Sequence, residues 1–296
     1  MSKSKVIAIV GPTGSGKTDL AVKIAKDFSG VIISADSRQV YRGLDIGTNK
    51  EGELGEWRGF TSRTVDGIPQ LLIDIVDPGT RFTLNDWLIE ARRAVRTITE
   101  QNMLPILTGG TGLYVSALLE NWQPKGDDAA KRSELEQLML PELQKLAAGL
   151  SLNESDLKNK RRLIRALERP VVSEQKPNNS LEVDDLVIEV DRPREWLYEK
   201  SDKRYFRIFD DLMAEYRSLV DKGLDPEWLQ EIGLDYRYAY KHFSGELTKE
   251  EAIRLFNFRS HAYIRRQLTW WRHHGEVKRV GDVEQAEELV KKFLSA

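Results

Sequence analysis

An eight-residue segment near the start of the chain has the composition of a phosphate-binding loop. Residues 11–18 read GPTGSGKT and satisfy the pattern G-x-x-x-x-G-K-[ST]. Glycines let the backbone approach an oligophosphate closely, so that amide N–H groups and a helix N-terminus face its charge. Lys17 adds a positive charge and Thr18 a hydroxyl group for Mg²⁺. The segment predicts a site for a di- or triphosphate formed by Gly11, Pro12, Thr13, Gly14, Ser15, Gly16, Lys17 and Thr18.

A second polar segment begins where the next predicted strand ends. Residues 34–48 read SADSRQVYRGLDIGT. A carboxylate at Asp36 can act as a general base or bind Mg²⁺ through water, and Gln39 can form paired hydrogen bonds with an adenine edge. Asp36 can equally cap the turn that follows it. The residues alone leave both interpretations open.

Two later segments also carry candidate residues. The glycine cluster at 108–114, TGGTGLY, either allows close approach of a ligand or forms a tight turn into a helix. The segment 265–272, RRQLTWWR, has Arg265, Thr269 and Arg272 on one helical face. Arginines beside tryptophans can contact phosphates and stack on bases. The alternative is a core helix in which Leu268 and Trp271 are buried and the arginines are solvated.

The elements that must position these residues alternate between strand and helix in the first third of the chain. Apolar runs and periodicity predict helices at 19–28 and 84–98, and strands at 6–10, 31–34, 71–76 and 105–107. This alternation predicts an α/β fold of the P-loop NTPase type, with a mostly parallel sheet flanked by helices. Ligands of such sheets bind at the carboxyl ends of the strands.

The pattern changes after about residue 121. Residues 131–169 read as charged helices, 170–180 as a loop rich in Pro, Asn and Ser, and 186–190 as a returning strand. Further helices are predicted at 202–222 and 248–274. We therefore expect a catalytic core of residues 1–120 and 185–296 that is interrupted by a helical insertion at 121–184.

The composition of the 296 residues is that of a globular protein, with 40% hydrophobic and 31% charged residues. The absence of cysteine excludes disulfides and cysteine-based zinc sites, and suits a cytoplasmic location. No apolar run approaches the roughly 20 residues of a membrane helix. The net charge is −2, but residues 158–169 and 257–280 are basic. These two basic segments are either a nucleic-acid surface or solvated helix faces.

Taken together, the segments resemble the tRNA dimethylallyltransferases, also called tRNA isopentenyltransferases. The family's blocks occur in order from about residue 6 to 273. The phosphate loop is generic, whereas the block at 36–48 and the helix at 265–272 are specific to the family. The matching segments are GPTGSGKT at 11–18, DSRQVYRGLDIGT at 36–48, DIVDP at 74–78, GGTGLY at 109–114, RLIRALE at 162–168 and RRQLTWWR at 265–272.

The resemblance implies transfer of a dimethylallyl group from dimethylallyl diphosphate to N6 of adenosine 37, beside the tRNA anticodon. Asp36 would be the base that accepts the N6 proton. Lys17 and Arg204 would be cations on the diphosphate, with Thr13 near its bridging oxygen. Mg²⁺, held through Thr18, would be the cofactor. We expect a monomer without membrane association.

The resemblance also implies contacts with the anticodon stem-loop of tRNA. Gln39 would hold the adenine after it is flipped out, and the two basic segments would hold the stem-loop. The implied set of tRNA-contacting residues is Asp36, Ser37, Arg38, Gln39, Thr111, Arg132, Arg161, Arg162, Leu163, Ile164, Arg165, Arg265, Arg266 and Gln267.

Two departures from the family pattern bear on these contacts. The element at 232–237, IGLDYR, has two residues more than the family's I-G-Y-[KR], namely Leu234 and Asp235, and His261 stands where the family usually has arginine. Three alternative functions remain at this stage. They are an isopentenyltransferase that acts on free AMP, ADP or ATP, a P-loop kinase of a small metabolite, and an RNA-binding module without catalysis.

Overall fold

The computed structural model describes residues 3–123, 129–168, 181–272 and 276–296. The chain divides into two compact units. One unit comprises Met1–Trp122 and Leu181–Ala296, and the other comprises Gln123–Ser180. The second unit overlaps the insertion expected at 121–184, and its described residues form helices. The loop predicted at 170–180 lies outside the described residues.

A single sheet forms the centre of the first unit, in the strand order β3-β4-β5-β2-β6-β1-β7-β8. Strands β5, β2, β6, β1, β7 and β8 are parallel, and the hairpin β3–β4 extends the sheet antiparallel at one edge. The predicted class, α/β with a mostly parallel sheet flanked by helices, is confirmed. The strands are β1 (Ser4–Val10), β2 (Gly30–Ser34), β3 (Glu53–Trp57), β4 (Phe60–Val65), β5 (Ile68–Leu71), β6 (Leu104–Thr108), β7 (Val183–Val190) and β8 (Val277–Val280).

Helices cover both faces of this sheet, because the strand residues are apolar on both faces. In β1, Val6, Ala8 and Val10 belong to one hydrophobic core, and Ile7 and Ile9 belong to the other. The helices of this unit are α1 (Lys17–Asp27), α2 (Leu84–Glu100), α3 (Gly112–Leu119), α8 (Arg194–Asp221), α9 (Pro226–Ile232), α10 (Leu234–Phe243), α11 (Lys249–Arg272) and α12 (Val283–Ser295). The described helices of the second unit are α4 (Ala129–Gln137), α5 (Leu140–Leu146), α6 (Glu154–Leu157) and α7 (Lys160–Glu168).

Helix α2 fixes the end of β2, from which the second polar segment leaves the sheet. Thr83 and Asp86 form a capping box at its first turn, which satisfies N–H groups that the helix itself cannot bond. Trp87 is fully buried, and its indole N–H donates to the carbonyl of Ser34 at 3.0 Å. The carbonyl that ends β2 is thereby bonded inside the core.

The prediction of a strand at 71–76 is wrong. Strand β5 ends at Leu71, and the next residues include Leu72 and Asp74 with φ values of 62° and 56°. The Asp74 carboxylate is buried and accepts hydrogen bonds from Lys50 Nζ at 2.5 Å and Arg63 Nε at 2.6 Å. These ion pairs hold the backbone in a conformation that apolar residues alone do not predict.

Candidate active site

The carboxyl ends of β1, β6 and β2 open onto one cavity of about 890 Å³. The cavity is lined by the phosphate loop, the segments 36–39 and 108–111, and parts of α8 and α11. It therefore brings together residues that are far apart in the sequence. The predicted residues that line it are Thr13, Gly14, Gly16, Lys17, Thr18, Asp36, Ser37, Arg38, Gln39, Thr111 and Arg204.

The phosphate loop has the backbone that its sequence predicts. Gly14 and Gly16 have φ values of 82° and 87°, which other residues rarely adopt. Gly16 precedes α1 without a side-chain cap, so the first N–H groups of α1 are left for an anion. Lys17 Nζ donates to the carbonyl of Pro12 at 3.3 Å. Burial lowers the pKa of Lys17, and the nearby Asp36 carboxylate acts in the opposite direction.

The two oxygens of the Asp36 carboxylate have different surroundings. Oδ1 accepts the backbone N–H of Arg38 at 2.8 Å and of Gln39 at 3.4 Å, which is the turn-capping role that the sequence left open. Oδ2 lies 3.4 Å from the position that a Cβ atom on Gly110 would occupy. The turn fixes the carboxylate at the wall of the cavity, as a positioned base requires.

The side chain of Gln39 is occupied by bonds within the protein. Its Oε1 accepts from Ser34 Oγ at 2.9 Å, and its Nε2 donates to the carbonyls of Thr48 at 3.1 Å and Asn49 at 3.4 Å. Paired hydrogen bonds with an adenine edge would have to replace these bonds. In this structure Gln39 connects the end of β2 to the segment 48–49, and its contact with adenine stays a prediction.

Gln267 also differs from expectation, because it bridges two loops of the site. Its Oε1 accepts from the backbone N–H of Thr13 at 3.0 Å, and its Nε2 donates to the carbonyl of Gly110 at 3.0 Å. The side chain is buried, so it does not offer a direct tRNA contact. Nearby, the Thr111 hydroxyl accepts the N–H of Ser37 at 3.2 Å.

Arg204 reaches the cavity from α8, but each nitrogen of its guanidinium donates to a protein acceptor. Nε donates to Asn49 Oδ1 at 3.2 Å, and Nη1 donates to Asp235 Oδ1 at 3.0 Å. Nη2 donates to the carbonyls of Ile46 at 3.0 Å and Gly47 at 3.3 Å. Asp235, one of the two extra residues, is thus the ion-pair partner of Arg204. Burial raises the pKa of Asp235, against the opposing effect of Arg204.

Glu215 also holds the segment 45–47, and no sequence motif marks it. Its Oε2 accepts the N–H groups of Asp45 and Ile46, each at 2.7 Å, and its Oε1 accepts the Tyr236 hydroxyl at 2.6 Å. A carboxylate among the buried residues of α8 is the only local sign of this role. Glu215 and Arg204 together fix the backbone of residues 45–47.

The segment 265–272 follows the core-helix interpretation at Trp271, whereas Leu268 is only partly buried. Trp271 is buried. Trp270 packs against Gly112, so closely that a Cβ atom on that glycine would lie 2.6 Å from the indole ring. Arg265 and Arg266 are exposed. Arg265 Nη1 donates to Tyr198 at 3.1 Å. His261, the other departure, pairs with Asp202 and stacks on Tyr198, with 3.9 Å between ring centroids.

In the insertion unit, the residues predicted to contact tRNA are two apolar residues and four arginines. Leu163 and Ile164 are buried in the small core of the unit, so their side chains cannot contact RNA, which corrects the expectation. Arg161 is exposed. The remaining arginines have carboxylate partners: Arg132 and Arg165 with Glu168, and Arg162 with Asp156.

Comparison with known proteins places these features in a family. The sequence profile of the family described as IPP transferase matches residues 39–274, and that of isopentenyl transferase matches residues 4–56. The tRNA dimethylallyltransferase of Streptococcus gordonii is 37% identical over 99% of both chains. The tRNA dimethylallyltransferase of Lactococcus lactis is 35% identical over 94% of this chain and 92% of the relative.

Solved structures agree over nearly the whole chain. The tRNA isopentenylpyrophosphate transferase of Bacillus halodurans superposes with a TM-score of 0.72 and 33% identity, over 99% of this chain and 97% of the other. A eukaryotic dimethylallyltransferase acting on tRNA has a TM-score of 0.71 at 24% identity, over 96% of this chain and 75% of the other, which supports the fold alone. The predicted resemblance is confirmed: the chain belongs to the IPP transferase family.

Proposed function

We propose that this protein transfers a dimethylallyl group from dimethylallyl diphosphate to N6 of adenosine 37 in tRNA. Family membership makes it a prenyl-transferring enzyme of tRNA modification. One observation carries the finer proposal: the phosphate loop and the Asp36 carboxylate open onto the same cavity. An anion site and a base therefore face the same cavity.

The proposed reaction breaks the C–O bond between the prenyl group and the diphosphate, and forms a C–N bond to the adenine. The diphosphate leaves with the electron pair of the C–O bond. Lys17 and the free N–H groups at the start of α1 stabilise its growing charge. Asp36 accepts the proton that N6 loses as the new bond forms. Removal of this proton allows the weakly nucleophilic amine to attack the prenyl carbon.

The residues of the cavity fit a Mg²⁺ ion held mainly by the diphosphate. Mg²⁺ keeps several waters and often takes only one or two protein ligands. Thr18 lines the cavity beside Lys17 and would be the protein ligand. Among the described residues, no group of three or more His, Cys, Asp or Glu side chains is arranged to hold a metal. When bound, the ion would reduce the charge on the leaving diphosphate.

The relatives favour tRNA over a free adenine nucleotide, since those named above are tRNA dimethylallyltransferases. The anticodon stem-loop as the contacted part, the monomeric state and the cytoplasmic location remain predictions. None of the helices described combines the length and apolarity needed to cross a membrane.

The direct test is incubation of the protein with dimethylallyl diphosphate, Mg²⁺ and unmodified tRNA. We expect the modified nucleoside to gain the mass of one isopentenyl unit, measured by mass spectrometry after digestion. Transfer to free AMP in preference to tRNA would select the nucleotide-modifying alternative. Turnover of ATP with a small acceptor would select the kinase.

Replacing Asp36 with asparagine tests the base without removing the turn. The amide oxygen can still accept the N–H groups of Arg38 and Gln39, but it cannot take a proton from N6. We expect the single-turnover rate of transfer to fall about 10²–10⁴-fold while tRNA binding is kept. Asp19→Asn is the control, because it removes the charge of another acidic residue that lines the cavity. Normal turnover by Asp36→Asn would remove Asp36 as the base.

Glu215→Ala tests whether the loop at 45–47 positions the site. The change leaves three backbone N–H groups, those of residues 45–47, and the Tyr236 hydroxyl without their acceptor. The loop is then held by Arg204 alone of the two α8 side chains. We expect kcat to fall at least about tenfold, with a smaller effect for Tyr236→Phe, which removes one of the bonds. Asp211→Ala, at an exposed position of α8, is the matched control. An unchanged kcat would contradict the positioning role.

Arg161→Glu tests the basic insertion as an RNA surface. Arg161 is exposed, so the charge reversal does not disturb the core formed by Leu163 and Ile164. We expect weaker tRNA binding and a salt dependence whose log–log slope is smaller by about 1. Lys145→Glu, exposed on α5, is the control. Equal binding by both variants and the unmodified protein would make residues 158–169 a solvated helix face.

A further inference from the structure

One face of α8 forms a wall of the cavity over about three turns. Seven residues of this helix line the cavity, at positions 196, 199, 200, 201, 203, 204 and 207. Four of the seven are cationic and one, Glu199, is acidic. The resemblance assigned a role to Arg204 alone, so the other cations of this face are unexplained.

The partners of these cations differ. Arg204 is bonded through all three nitrogens to Asn49, Asp235 and two loop carbonyls. Lys203 Nζ pairs with the Glu199 carboxylate at 2.5 Å. Within the part of the chain that the structure describes, Lys200 and Arg207 have no ion pair or hydrogen bond. The charge of each is therefore available to a ligand without loss of an existing ion pair.

Lys200 also lies beside the phosphate loop. Its Cγ atom is 3.9 Å from the position that a Cβ atom on Gly14 would occupy. Its Nζ lies 4.7 Å from the centroid of the Trp196 ring, and Trp196 is 38% exposed. The ring holds the ammonium by a cation–π contact, which is a weak attraction at an exposed site. A doubly charged phosphate anion in the loop would attract the ammonium more strongly.

We propose that Lys200, the α8 cation beside Gly14 of the phosphate loop, contributes positive charge to the bound diphosphate, and that Trp196 positions its side chain. The inference rests on the proposed function for the class of ligand. Lysine suits this task because its ammonium is a point charge with three donors on a flexible stem. Arg204, in contrast, holds the loop at 45–49. The resemblance gave the diphosphate contact on this helix to Arg204, and the proposal gives it to Lys200.

The test measures equilibrium binding of inorganic pyrophosphate, with Mg²⁺, to the full-length protein by calorimetry. We expect Lys200→Met to bind about tenfold more weakly, because a charge-assisted contact is lost, and Lys200→Arg to keep most of the affinity. Lys203→Met is the matched control, since Lys203 lies on the same face but is paired with Glu199. Unchanged thermal unfolding midpoints will show that the variants remain folded.

The outcomes separate this inference from the proposed function. If the unmodified protein and Lys200→Met bind pyrophosphate equally, the role of Lys200 is wrong while the diphosphate site stands. If the unmodified protein does not bind pyrophosphate, the diphosphate site itself is wrong and the inference fails with it. Equal losses in Lys200→Met and Lys203→Met would show a general effect of charge and would also overturn the inference.

Trp196 provides a second and spectroscopic measurement. Movement of the Lys200 ammonium from the ring to the anion changes the surroundings of the indole. We therefore expect pyrophosphate to change the tryptophan fluorescence of the unmodified protein. This change should be largely lost in Trp196→Phe. Because phenylalanine keeps an aromatic ring, we expect that variant to bind pyrophosphate with unchanged affinity. Trp196→Leu removes the ring and is expected to bind about two- to threefold more weakly. A full-sized fluorescence change in Trp196→Phe would overturn the positioning role.

Discussion

The parallel pairing of β1, β6 and β2 is the constraint on which the rest of the site depends. Thr108, the last residue of β6, lies opposite Ile9 on one side and Ser34 on the other. The loops that follow these strands therefore leave the sheet at one level. The pairing continues past the strand ends, because Ala35 N–H donates to the Thr108 carbonyl at 2.7 Å. A Cβ atom on Gly109 would lie 2.3 Å from the Ala35 backbone, so glycine is required at this close approach.

A second layer of polar contacts stabilises the loops that the sheet alone leaves unsupported. Lys50 and Arg63 contact both Asp74 and Asp45, so two carboxylates share two cations beneath the cavity. Burial alone would raise the pKa of Asp45, but these cations lower it. Removing one member of a buried ion pair leaves the other uncompensated, typically at a cost of about 3–5 kcal/mol. The loop at 45–49 is thus held by the ion pairs of Asp45 and by the hydrogen bonds from Arg204 and Glu215 of α8.

The sequence predicted the structure best where the conformation depends on residues that are close together in the chain. The phosphate loop and the buried strands β1, β2 and β6 were predicted, because a motif and continuous apolar runs are local signals. The irregular segment after Leu71 was not, because its conformation depends on distant Lys50 and Arg63. The hydrogen bonds that Gln39, Gln267 and Glu215 make within the protein were not predicted for the same reason: a side chain's type does not reveal which backbone groups it will meet. Leu163 and Ile164 were predicted to contact tRNA because they belong to a basic segment, although helical periodicity places them on the apolar face of that helix.

The bridge made by Gln267 has a consequence for the order of assembly. It joins α11 to the phosphate loop across 254 residues of sequence. During synthesis the loop is made long before its partner, so the contact can form only after the intervening chain has been synthesised. The loop therefore acquires its final hydrogen bonds late, when β6 and α11 are both in place. A nascent chain that still lacks α11 has the phosphate-binding sequence but not the finished binding site.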